Sequence, residues 1–78
     1  MLHGGGADAA AAARARPYLE RARAANPHDA DVEAALGQVL LILGDTAAAC
    51  DHLRRAATLR PSPHTAAGIR TLMQACAE

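Results

Sequence analysis

Apolar residues in this chain fall at three- and four-residue intervals, in blocks separated by Gly, Pro, Asn and Asp. That spacing puts them on one side of a helix, whereas strands would need strict alternation. The pattern predicts about four helices. The first spans about Asp8 to Ala25 and ends at Asn26-Pro27. Pro17 lies within it, so the expectation is a kink there, or a regular helix that begins only at Pro17. The second runs from about Ala30 to Leu43. Asp29 is its N-cap, Asp31 and Glu33 sit in the first turn, and Gly44 is the stop. Val32, Leu36, Val39, Leu40 and Leu43 form its stripe. Asp45-Thr46 caps the third, which reaches about Leu59 with Ala49, Leu53, Ala56 and Ala57 facing inward. Ser62 and Pro63 open the fourth, whose stripe is Ile69, Leu72, Met73 and Cys76. Residues 1–7, with Gly4 to Gly6 in succession, are expected to form a flexible tail ahead of a helical domain over 8–78.

The chain also repeats itself. Ala15, Leu19, Arg21, Ala22 and Pro27 recur 34 residues later as Ala49, Leu53, Arg55, Ala56 and Pro61. The middle segment reads Glu33-x2-Leu36-Gly37-x2-Leu40, then Ala49-x3-Leu53, then Ala56 and Pro61. Period and spacing together resemble the tetratricopeptide repeat (TPR), a helix-turn-helix unit written W-x2-L-G-x2-Y…A-x3-F…P. One whole repeat falls at about 30–63, with half-repeats on either side. In this alignment Glu33, Leu40 and Leu53 stand where the family carries aromatics, and Arg70 stands where a second Gly37 would be. The resemblance implies an all-α fold of antiparallel helix hairpins stacked as a short solenoid fragment. It also implies a protein-binding role, exercised through a concave face. Gly37, Ala49 and Ala56 are then the small residues that let paired helices approach.

Composition narrows the remaining options. With 78 residues the chain is one domain at most. Phe and Trp are absent and there is one Tyr, so any core is thin and aliphatic. Arg residues balance the acidic ones and Lys is absent, giving a formal net charge of zero and no general attraction to nucleic acid or anionic membranes. Arg14, Arg16, Arg21 and Arg23 bias the first helix positive, but no aromatics interleave them as a stacking platform would require. The Lys-free, Ala/Arg-rich usage resembles GC-rich bacterial coding. The run Ala9 to Ala13 has neither a basic flank nor a strongly apolar centre, and Val39 to Leu43 is far too short to span a bilayer. A cytoplasmic location is the expectation.

Little chemistry is visible. Cys50-Asp51-His52 lacks ligand spacing, because neighbours on a helix diverge. Cys50 would have to meet His64 or Cys76 in space. The favoured reading is a packed Cys50 thiol, slow to react, beside a solvated His52, with no metal and no cofactor. Two Cys are too few for a disulfide framework. Gly4 to Gly6 lack the GK[ST] of a phosphate loop. No oxyanion hole or small-molecule pocket is implied, so an enzyme is not expected.

The second helix is apolar beyond its stripe. Ala34, Ala35, Gln38, Leu41 and Ile42 lie toward the concave face that TPR proteins use, and Ile69, Leu72, Met73 and Cys76 extend it on the fourth helix. Leu41 and Ile42 are either covered by the fourth helix or offered to a partner. Lys, Arg and Asn, which the family's carboxylate clamp uses, are missing from this face. The expected ligand is therefore an apolar segment of a protein partner or a second copy, with a homodimer as the simplest assembly. Two alternatives from other classes are a regulatory or substrate-presenting segment of a transferase-type system and a metal-binding helical protein.

Overall fold

The computed structural model describes residues 4–76, with side chains from Asp8 onward. Among them are four α-helices and no strand: α1 (Gly4–Ala25), α2 (Ala30–Ile42), α3 (Thr46–Thr58) and α4 (Pro63–Met73). A 3-10 turn, Gln74–Cys76, follows α4. The all-α class expected from the sequence is present. The expected tail falls partly outside the described residues, at Met1 to His3. Gly4 to Gly6 already belong to α1, which begins earlier than Asp8. The alanine run propagates the helix backward, and the glycines occupy a first turn whose N–H groups need no intrahelical partner. Pro17 sits inside α1, so the helix does not wait for it to begin.

Local chemistry accounts for each boundary. Asp29 has an extended backbone, and its Oδ1 accepts from the Asp31 and Val32 N–H groups at 3.0 and 3.3 Å. At the other end of α2, Gly44 takes φ +86. Its N–H donates to the Leu41 carbonyl at 3.1 Å, and Asp45 N–H reaches the Leu40 carbonyl at 2.9 Å. This is the paired bonding of a Schellman stop, which satisfies two otherwise orphaned carbonyls. The Asp45 carboxylate then accepts from Ala48 N–H at 3.3 Å and starts α3. Arg60 closes α3 in the left-handed region at φ 57, ahead of Pro61, which disfavours helix in the residue before it. Ser62 caps α4, with Pro63 in the first turn.

The core lies between α2 and α3. Leu36, Val39 and Leu40 meet Ala49, Cys50, Leu53 and Ala56, all buried. Ala57, expected inside, is exposed. The contact is close because Gly37 has no side chain. A methyl group there would lie 2.6 Å from both Cγ and Cδ2 of the fully buried Leu53, and 3.3 Å from the Ala49 carbonyl oxygen. α1 lies against α2 and buries Ala12, while α4 packs on both α2 and α3 and buries Ile69.

Two features correct the sequence reading. Cys50 is not a free thiol. It is joined to Cys76, 26 residues on, with Cα atoms 5.9 Å apart. The stripe that Cys76 was expected to extend stops at Met73, where the chain tightens into the 3-10 turn and Cys76 meets α3. Closing a loop of this length removes about 3 kcal/mol of unfolded-chain entropy. The second feature is Glu33, which has no exposed surface. One carboxylate oxygen accepts from Arg23 Nε at 2.8 Å, and the other lies 2.6 Å from His52 Nδ1. Arg55 Nη1 is 3.8 Å away. His52 is therefore a partner of Glu33 rather than a solvated side chain. An ionised carboxylate can only accept, so Nδ1 carries the proton. Burial pushes the Glu33 carboxyl up, but the hydrogen bonds and charges of His52 and Arg23 outweigh it and hold the group below its ordinary value of 4.5.

This cluster joins α1, α2 and α3, and its sign is testable. A carboxyl lowered in the fold stabilises it above the unfolded value and loses that contribution as pH falls from about 4.5 through the folded value. Urea melts over this range should show an acid decline that is absent in Glu33→Leu. Arg23→Ala combined with His52→Ala strands a buried charge and should cost about 3 kcal/mol. Glu33→Leu, which removes the charge itself, should cost under about 1 kcal/mol.

Candidate docking groove between α2 and α4

α2 and α4 lie side by side and leave an open groove of about 310 Å³ between them. From α2, Ala34, Ala35 and Gln38 line it, with Asp31 at one end. From α4 come His64, Thr65, Gly68, Ile69 and Leu72. The lining therefore combines small and aliphatic residues with four polar ones, Asp31, Gln38, His64 and Thr65, and includes no Arg. At one end the helices are tied by a chain of hydroxyl bonds. Ser62 Oγ donates to Thr65 Oγ1 at 3.2 Å, and Thr65 Oγ1 donates to Asp31 Oδ1 at 2.7 Å.

Five of the nine residues expected on the binding face share this groove: Ala34, Ala35, Gln38, Ile69 and Leu72. Ile69 is buried by contacts within the chain, and Leu72 is half-buried. Leu41, Met73 and Ile42 do not line the groove; the first two are half-buried and Ile42 is 44% exposed. Cys76 is removed from the set, because its sulfur is bonded to Cys50. Apart from Ile42, Tyr18 is the one large hydrophobic exposed among the described residues, and it lies on α1 within 5.6 Å of the Arg21 guanidinium. Of the nine residues expected on this face, Ile69 is buried, Gln38 and Ile42 are exposed, and the others are half-buried.

Asp31, His64, Thr65 and Gly68 were not among the expected site residues. Gly68 carries the clearest signal. A glycine inside a helix is about 1 kcal/mol less favourable than alanine. At Gly37 the close helix contact explains that cost. At Gly68 nothing lies within 4 Å of where a Cβ would stand. No packing among the described residues requires this glycine, and it lines the groove.

Among the described residues, no group of three or more His, Cys, Asp or Glu is placed to hold a metal ion. No described helix is long and apolar enough to cross a membrane. No family model, curated protein or solved structure matches the chain.

The two helix-interior glycines should respond with opposite signs. Gly68→Ala meets open space and should raise stability by about 0.5–1 kcal/mol. Gly37→Ala must displace buried Leu53, and the overpacking outweighs the helix gain, for a net loss of about 1 kcal/mol. Paired denaturant melts decide between these and a common effect.

Proposed function

We propose that this chain is a small TPR-like interaction module that holds an apolar segment of a partner protein in the groove between α2 and α4. Gly68 is the observation that supports this most directly. It weakens α4, serves no packing among the described residues, and leaves its stretch of the groove free of a side chain. The rest of the lining suits an apolar occupant. Ala34, Ala35, Ile69 and Leu72 offer contact area, while Asp31, Gln38, His64 and Thr65 supply hydrogen-bonding groups. With no Arg or Lys in the lining, a carboxylate tail has no permanent counter-charge there. A groove of about 310 Å³ takes a few side chains, which favours a short anchored segment over a whole domain.

The disulfide bears on the surroundings in which this happens. Such bonds persist in oxidising compartments and are mostly transient or redox-sensing in the cytosol. A cytoplasmic setting is therefore consistent with this module only if the Cys50–Cys76 bond is made and broken in use.

Site-specific photo-crosslinking tests the proposal. A benzoylphenylalanine at Gln38, on the groove, should capture a discrete partner from the native host, and the same group at Glu20 on α1 should not. Gly68→Leu plugs the groove without a Cβ clash, so it should leave melting unchanged or raised. The same substitution should cut the Gln38 crosslink about tenfold, equivalent to about 1.4 kcal/mol of lost contact. Equal capture at both positions, or capture indifferent to the plug, would overturn the groove as the docking site. Capture of a second copy, with a dimer in sedimentation, would identify the occupant as the chain itself.

A further inference from the structure

The helix that forms one wall of the groove is held unevenly. Of its residues, only Ile69 is buried. Leu72 and Met73 are half-exposed, and a Cβ at Gly68 would meet nothing within 4 Å among the described residues. The bond from Thr65 to Asp31 lies at the surface, where water competes for both groups. The α2–α3 pair is different. Leu36, Val39, Leu40, Ala49, Leu53 and Ala56 are buried there, and the contact between these two helices is far more extensive than any contact α4 makes. What fixes the far end of α4 is covalent: Cys76, in the 3-10 turn after it, bonded to the nearly fully buried Cys50 of α3.

We propose that the Cys50–Cys76 disulfide is a redox latch on the groove, closed when oxidised and open when reduced. The proposal rests on the docking reading above, whose site it regulates. Its chemistry is ordinary thiol–disulfide exchange with a dithiol reductant. Cys76 is half-buried and Cys50 almost wholly so, which makes Cys76 Sγ the accessible sulfur. A reductant thiolate attacks it, the Cys76–Cys50 bond breaks, and Cys50 leaves as a thiolate that takes up a proton. The reductant's second thiolate then attacks its own sulfur in the mixed disulfide and releases Cys76. The chain gains two electrons and two protons, and the reductant ends as a disulfide. α4 then keeps only its weak contacts, and the groove loses a wall while the α2–α3 core stands.

Hydrogen exchange on the full chain, with and without dithiothreitol, tests the latch without any ligand. Reduction should accelerate amide exchange over residues 63–73 by more than about tenfold, given what loop closure by the bond contributes. In the reduced chain, buried amides of α2 and α3 should remain more than about tenfold better protected than those of α4. The double variant Cys50→Ser, Cys76→Ser should show the reduced pattern whether or not reductant is present. Unchanged α4 protection on reduction would overturn the proposal, because the weak contacts would then suffice. Protection that falls to one common level across α2, α3 and α4 would also overturn it, making the bond a staple for the whole fold. The Gln38 crosslink provides the second readout and should weaken on reduction. A crosslink that persists while α4 opens sinks the latch but spares the docking reading. Selective opening of α4 without any Gln38 crosslink sinks the docking reading and, with it, the assignment of the latch to that site.

Discussion

The fold depends on how closely α2 and α3 approach at Gly37. With no Phe or Trp to fill an interface, this chain packs helices with side chains of four carbons or fewer. Aliphatic residues of that size touch across an interface only if the backbones come near, and the near point is where Leu53 lies over the bare Gly37 backbone. Leu36, Val39 and Leu40 interlock with Ala49 and Ala56 because of that approach. α1 and α4 then find their places on the surface of the pair.

Against this apolar contact stands one buried charge. Glu33 occupies the position where the repeat resemblance calls for a large aromatic, which would have filled the space between α1, α2 and α3. Here an acid fills it, with Arg23 from α1 and His52 from α3. Such a cluster adds less stability than an aromatic would, because desolvation offsets much of the attraction. It does impose direction. The carboxylate accepts only where donors stand, so α1 has one register in which Arg23 reaches it. The registry role is the better-attested use of buried ions.

Most helix boundaries were legible because they are set by neighbours in sequence. Asp29, Asp45 and Ser62 cap by bonding N–H groups two or three residues on, and Gly44 stops α2 through its own φ. Gly37 was legible through its spacing to Leu36 and Leu40. The unread features are those made between elements. Cys50 and Cys76 lie on separate elements, and their pairing depends on a turn after Met73 that no periodicity marks. An acid in the first turn of α2 suits the helix dipole equally well exposed or buried, so position alone could not place Glu33. The groove was half visible. Its aliphatic members follow a stripe, but Asp31, His64 and Thr65 join it through the angle at which α4 crosses α2, and Gly68 stood in the sequence without being weighed against Gly37.

The alanines that line these contacts have a thermodynamic side as well. Ala12, Ala49 and Ala56 are buried almost completely, and none has a rotamer to lose on folding. A Met or Leu in the same place would bury more surface but would give up side-chain freedom, about 0.5–2 kcal/mol for each residue immobilised. A chain of 78 residues cannot bury a large apolar area. By ordering mostly backbone, this one keeps the opposing entropy small, so a thin core is enough to hold its helices together.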